Sequence, residues 1–372
     1  MHYRPLGKTG VDISIVSLGC MGFVDDESAH ATVQAGLDGG INYYETCWGY
    51  AHSERRLGEG LGSRRGEIMV STKSYPESVD GLSVADTMRK RLEEQLRRLS
   101  TDHVDFYHAW HTTTEEDYAN AIGPGGWLEA ARKAQDEGLI GHIGITTHAG
   151  PELVGRMIDD GCWEVITLQY SLAVSATRPM VAKAHAKGMG VIVIGAMASG
   201  MLACPSALLQ EVFGVDDQAA GALRYALSDP GVSSVASGMV WADEVRANCR
   251  AVDAMADHLS IDYQRQVDDR LATLLESEDL AELKRYWCDG CGRCIAVCDK
   301  LVEPWSLLRA YNVAMLGGRP RDTAALVAGC ERMLKRCPEC GRCAGVCPRN
   351  IDIPQHLERI ARLMRSLPAD NS

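Results

Sequence analysis

Eight of the fourteen cysteines fall into two runs of one spacing. Cys288, Cys291, Cys294 and Cys298 follow C-x2-C-x2-C-x3-C, and so do Cys337, Cys340, Cys343 and Cys347, with Pro348 next in line. Short loops of this kind let three thiolates converge on one face of a 4Fe–4S cube. A structural zinc would need only two pairs and would leave the x3-C unexplained. The reading is therefore two 4Fe–4S clusters, groups that move electrons singly. The other six cysteines, at 20, 47, 162, 204, 249 and 330, are isolated and read as small core residues. Cys47 differs in lying within a second group of reactive residue types, "ETCWGY" at 45–50.

Composition narrows the setting. At 372 residues, 46% hydrophobic and 24% charged, the chain is long enough for a large domain and a small one. The opening "MHYRPLGKTG" has no leader-type apolar run, and "GVIVIGAMA" is too short to cross a bilayer. A cytoplasmic chain is expected, where thiols stay reduced and clustered cysteines bind metal rather than each other. The net charge of −12 argues against a nucleic-acid partner. That charge is uneven: residues 287–372 hold 13 Lys+Arg against 9 Asp+Glu, so this segment is +4 and the remainder −16. Two thiolate-ligated clusters, each about −2, would offset the surplus; a plain solvated basic face explains it equally well.

The elements that must position these groups follow a regular alternation. Apolar runs at Ile13–Gly19, Ile41–Glu45, Glu67–Lys73, His103–Trp110, Ile140–Thr147, Val165–Ser171, Gly190–Ala196 and Ser233–Met239 alternate with stretches of helical period. Examples are 83–100 and 126–138, the latter closing on Gly138 as helices do. Eight strand–helix units predict an α/β fold, a (β/α)8 TIM barrel, over residues 1–258. No G-x-G-x-x-G follows the first strand, which counts against an open doubly wound sheet. Residues 259–285 read as a helical linker with a charged face, and 286–372 as the small cysteine-bearing domain.

At "YRPLGKTGVDISIVSLGCMGF", "GINYYETCWGYAHSERRLGEGLG" and "EIMVSTK" the chain resembles the aldo-keto reductases, over residues 1 to about 255. The resemblance implies a nicotinamide cofactor and a catalytic tetrad of Asp, Tyr, Lys and His at the barrel's C-terminal rim. Tyr50 stands at the tyrosine position and Lys73 at the lysine, where an ammonium would lower the phenol's pKa and help it donate a proton to a nascent alkoxide. Glu45 replaces the aspartate, one methylene longer. Trp110 occupies the histidine position, bracketed by His108 and His111. Strand alternation turns His108 inward, one layer deeper, and His111 outward unless the strand has ended or bulged. By the same resemblance Thr146, Thr147 and Gln169 hold the nicotinamide amide. Where NADPH-specific members bind the 2′-phosphate, this chain has Gly238, Met239 and Glu244; a carboxylate there repels a phosphate and favours NADH.

The cysteine segment resembles, over about eighty-five residues, the helical ferredoxin domains of heterodisulfide-reductase and succinate-dehydrogenase iron–sulfur subunits. In two-cluster ferredoxins the fourth cysteine of each run ligates the other cube. That resemblance implies one site of Cys288, Cys291, Cys294 and Cys347, and another of Cys337, Cys340, Cys343 and Cys298.

Together these readings predict an iron–sulfur oxidoreductase that reduces a carbonyl, or oxidises a hydroxyl, of a small molecule with nicotinamide or cluster-delivered electrons. A flavin would join hydride to single-electron chemistry, yet no flavin motif is visible, so a redox partner protein is a further expectation. The clusters could instead brace the fold around an ordinary reductase. The barrel could also be a degenerate docking module without its own carbonyl chemistry.

Overall fold

The computed structural model describes residues 1–298, 300, 304–318 and 323–366. Two short strands, β1 (Tyr3–Pro5) and β2 (Asp12–Ser14), form an antiparallel hairpin. Eight parallel strands follow: β3 (Val16–Gly19), β4 (Tyr43–Glu45), β5 (Met69–Ser74), β6 (Val104–Ala109), β7 (Ile140–Thr147), β8 (Val165–Gln169), β9 (Gly190–Ile194) and β10 (Ser234–Ser237). β10 pairs with both β9 and β3, which closes the barrel. The predicted TIM barrel is present, with all eight strands in the expected places.

Most barrel strands end one or two residues inside the expected limits, and two of the differences bear on the site. The run Ile13–Gly19 is split, because its first residues pair with Tyr3–Pro5 rather than with a barrel strand. The hairpin then inserts Leu6 and Ile13 beneath the barrel, against Tyr43, Phe106, Val165 and Ile192. The close approach depends on Gly7, whose φ of +58° suits glycine and whose site has no room for a Cβ beside Gly190. β6 also stops at Ala109, one residue before Trp110, and the chain turns at His111, φ +55°.

Alternation along the strands sets two inner layers. Tyr43 and Phe106 fill the lower layer. Two residues further along each strand, Glu45 and His108 rise to the C-terminal end, where active sites of this architecture lie. Surrounding helices bury apolar stripes such as Met88, Leu92, Leu96 and Leu99 of the helix Val84–Leu99, whose start is capped by the Ser83 hydroxyl accepting from the Asp86 N–H.

The helix Ile261–Leu275 lies against the barrel. The Tyr263 hydroxyl donates to the Phe213 carbonyl (2.9 Å), the Gln264 amide donates to the Tyr225 carbonyl (2.9 Å), and Arg178 pairs with Asp268 (2.8 Å). Beyond it, the helices Trp305–Met315, Thr323–Arg336 and Ile353–Ser366 form a small helical layer. Their core includes Tyr311, Cys330, Leu357 and Ile360. His356 is buried between Tyr286 (ring centroids 4.7 Å) and Tyr311 (4.5 Å). Among the described residues, no helix is long and apolar enough to cross a membrane.

Candidate functional site

The two cysteine runs build near-identical turns. Gly292 and Gly341, at φ +71° and +72°, each start a one-turn helix, Arg293–Ala296 and Arg342–Gly345. Only glycine takes that conformation without strain. The turn then carries the third cysteine of each run. Asn312 fixes the first run from the side: its amide donates to the Cys288 carbonyl (2.8 Å) and its oxygen accepts from the Cys288 N–H (3.2 Å).

The eight cysteines line two pockets. Cys288, Cys291, Cys294 and Cys347 line one pocket together with Trp305, Leu308 and Ile353. Cys298, Cys337, Cys340 and Cys343 line the other with Pro304, Pro338 and Leu357, and Cys294 reaches this pocket too. The last cysteine of each run therefore sits with the other run's first three. Among the described residues, no three or more His, Cys, Asp or Glu converge as they would on a single ion. Four thiolates are the donor set that a 4Fe–4S cube takes. Burial pushes the Cys288 thiol up to about 12, so that without iron it stays protonated, while the Arg342 guanidinium, whose Nε donates to the Cys340 sulfur (3.3 Å), holds that exposed thiol below its ordinary value.

The first of these pockets rests on the barrel mouth. The Asp289 carbonyl accepts from the Ala176 N–H (3.3 Å), and Arg293 pairs with Glu152 (3.0 Å). Gly290 and Gly292 lie against Val174 and Gly150 so closely that a Cβ would sit 3.0 and 3.2 Å from them. Between loop and rim is a further cavity, lined in part by Thr147, His148, Gln169, Gly290 and Trp305.

Inside the rim, the buried Lys73 ammonium pairs with Glu45 and donates to the Thr46 carbonyl (2.7 Å). It also lies over the Tyr50 ring, 4.6 Å from the centroid. Burial lowers the Lys73 pKa and raises that of Tyr50. Desolvation outweighs the expected lowering of the phenol by the ammonium, because the charged nitrogen faces the ring and is already held by Glu45. Cys47 is buried too, its thiol directed at the Lys73 carbonyl (3.6 Å).

The two histidines part company. His108 points inward beside Lys73 and is 1% exposed; burial and the Lys73 charge hold it down to about 3, against a weaker opposing effect of the Ile145 backbone. Because β6 has already ended, His111 is turned to the rim, between Tyr75 (6.1 Å) and His148 (5.2 Å).

The remaining expected residues are scattered around that rim. The Thr146 hydroxyl accepts from the His111 N–H (2.9 Å), and the Thr147 hydroxyl donates to the Thr112 carbonyl (2.7 Å). Gln169 keeps a buried side-chain oxygen without a partner, facing the cavity beneath the cysteine loop. Gly238 lies exposed after β10, and Glu244 reaches back to accept from the Val240 and Trp241 N–H groups (2.7 and 3.2 Å). That carboxylate caps the N-terminus of the helix Ala242–Met255, the position an anion would otherwise take.

Sequence reasoning missed Tyr75, His148 and Trp305, which extend the series of rings from Tyr50, Trp110 and His111 to the first cysteine pocket. Successive rings run from Tyr50 to Trp110 (5.6 Å), Tyr75 (4.1 Å), His111 (6.1 Å), His148 (5.2 Å) and Trp305 (5.3 Å), and Trp305 lines the first cysteine pocket. His148, adjacent to the threonines of "GITTHAG", carried the one signal available. Nothing in the sequence ties Trp305 to it across more than 150 positions.

Comparison with known proteins agrees with this geometry. Residues 16–269 match the aldo/keto reductase family and residues 287–352 the 4Fe-4S dicluster domain. L-galactose dehydrogenase of Arabidopsis thaliana is 30% identical over 71% of this chain and 92% of its own. The uncharacterized oxidoreductase YqkF of Bacillus subtilis is 25% identical over 68% and 92%. Aldo-keto reductase AKR11C1 from Bacillus halodurans, in its holo form, superposes with a TM-score of 0.63 at 25% identity, covering 73% of this chain and 96% of that one. The chain is an oxidoreductase that belongs to the aldo/keto reductase family and carries a 4Fe-4S dicluster domain at its C-terminal side.

Proposed function

We propose that this enzyme reduces a carbonyl group of a small molecule to the alcohol, or runs the reverse reaction, with single electrons brought to the barrel through two 4Fe–4S clusters. The observation that carries this reading is the unbroken ring series from Trp305, in the first cysteine pocket, to Tyr50 at the rim. A fold-bracing metal site would need no such connection to the reactive phenol.

Cys288, Cys291, Cys294 and Cys347 would hold one cluster and Cys298, Cys337, Cys340 and Cys343 the other, and such groups would supply electrons one at a time. Carbonyl reduction consumes two electrons, taken one at a time, and two protons, of which Tyr50 supplies the one to oxygen and water at the rim the one to carbon. Tyr50, protonated throughout the neutral range, gives its proton to the carbonyl oxygen. Lys73, held by Glu45, keeps a positive charge behind the phenol and stabilises the oxyanion that is left. His111 is the histidine on the accessible side, while sealed His108 supports Lys73 from below. Gln169 offers its unpartnered oxygen to a nicotinamide amide, and Glu244 disfavours a 2′-phosphate, so NADH is the expected nicotinamide. An alcohol-forming reductase with hydride from NADH and inert clusters is the alternative that Gln169 favours.

Anaerobic purification, iron counting and titration with NADH, NADPH and dithionite test the proposal. Roughly eight iron atoms per chain and visible absorption bleached by dithionite, then restored by a carbonyl substrate, are expected. Restoration that fails while NADH-dependent reduction proceeds would leave the hydride reading standing.

A further inference from the structure

Arg309 lies on the helix Trp305–Met315 and is 9% exposed. Its guanidinium stacks on the face of Trp305, 4.1 Å from the ring, and neither Nε nor Nη1 has a hydrogen-bond partner. No carboxylate among the described residues pairs with it. Its charge acts on two groups, the Cys288 thiol and the His148 ring. A buried cation left this way is unstable unless negative charge comes to it.

The other charges at the first cysteine pocket are already answered. Arg293 pairs with Glu152 (3.0 Å), and Arg349 offsets Asp289 and donates to the Lys284 carbonyl (3.2 Å). Among the described residues lining the second pocket the cation is Arg342, on an exposed surface beside the exposed Cys340. Water and salt screen that charge, whereas the field of Arg309 acts through protein.

Resting on the reading that both pockets hold clusters, we propose that Arg309 is the residue that sets the potential of the inner site, making it the easier of the two to reduce. Adding an electron to a cluster deepens its negative charge, and a buried guanidinium with no carboxylate partner among the described residues stabilises that form preferentially. Electrons would then enter at the Cys298, Cys337, Cys340 and Cys343 site, whose Cys340 is exposed, and come to rest at the inner site, against Trp305 and the barrel mouth. Arg309 is a tuning residue and touches neither substrate nor cofactor ring in this role.

Potentiometric titration of the full iron-loaded chain, followed by electron paramagnetic resonance, tests this without any carbonyl substrate. Two waves are expected. R309Q lowers the higher-potential wave by a factor of at least ten in its reduction equilibrium, about 59 mV for a one-electron couple, and leaves the lower wave in place. R309K keeps the charge and holds the wave near its original position, while R342Q moves only the lower wave, and by less. An unmoved upper wave in R309Q, or an equal shift in R309K, overturns the proposal. Should R309Q fail to load iron, the wild-type salt response decides: the lower wave moves with ionic strength and the upper holds, and an upper wave that moves equally overturns the proposal. An iron count well short of eight defeats the cluster reading itself, and Arg309's role with it.

Discussion

Lys73 lies across the face of the Tyr50 ring, 4.6 Å from its centroid, and makes no hydrogen bond to the phenol oxygen. Its ammonium is spent on Glu45 and the Thr46 carbonyl. The pair is thus arranged to keep the phenol protonated until catalysis and to supply positive charge afterwards. Tyr50→Phe keeps the ring against Trp110 and removes only the proton. Turnover of benzaldehyde, with reduced viologen as electron donor, is expected to fall about 10²–10⁴-fold, with cluster spectra unchanged. Burial raises the Tyr50 pKa, so the wild-type rate should show no alkaline loss assignable to Tyr50 ionisation across pH 7–9. A tyrosine-dependent limb in that window would contradict the geometry.

Glu45 and Lys73 form a buried pair, and the two changes that break it differ from the one that removes it. Glu45→Gln leaves the ammonium enclosed without its counter-charge and should cost about 3–5 kcal/mol of stability. Lys73→Met combined with Glu45→Gln removes both charges and should recover most of that loss. Urea denaturation of the single and double variants measures it. If the double variant is as unstable as the sum of the two singles, the pair does not interact as described.

His108 provides a pH signature. Held down to about 3 by burial and by Lys73, it is neutral in the fold, whereas in the unfolded chain it protonates near 6.5. A depressed folded value means that its stabilising contribution is complete above 6.5 and is lost as pH falls toward 3. At pH 5 the expected loss is about 2 kcal/mol relative to pH 8. His108→Gln should flatten that part of the profile, since it cannot take up a proton. An unchanged slope between pH 8 and pH 5 would show that His108 is not the group responsible.

The barrel was legible in the sequence because each strand is a short apolar run bounded by turn residues, and each faces a helix whose apolar stripe has the matching period. The limits were not legible. Ile13–Gly19 reads as one strand, since nothing local distinguishes a residue paired to Tyr3–Pro5 from one paired to the barrel. Tyr50, Lys73 and Glu45 are legible through the family resemblance that "ETCWGY" and "EIMVSTK" carry, and not from their residue types alone. His111 depended on where β6 stops, and that depends on a single backbone turn at φ +55°. Trp305 and Arg309 were invisible as site residues. Their meaning comes entirely from how the helix Trp305–Met315 packs between the cysteine loops and His148.

The crossed arrangement of cysteines makes a prediction that a pair of independent motifs would not. Cys347 shares a pocket with Cys288, Cys291 and Cys294, although 53 positions separate it from the last of them. Cys298 likewise belongs with Cys337, Cys340 and Cys343. Replacing Cys337, Cys340 and Cys343 together by serine should disable the outer site and leave roughly four iron atoms per chain. In that background Cys298→Ser should change neither the iron content nor the visible spectrum, because its intended cluster is already gone. Cys347→Ser should deplete the remaining iron or alter its spectrum, because it removes one of four ligands from the inner site. Uncrossed ligation gives the opposite pair of results: Cys298→Ser would then be damaging and Cys347→Ser silent. Iron analysis of the two quadruple variants, prepared side by side without air, therefore separates the two ligand assignments directly.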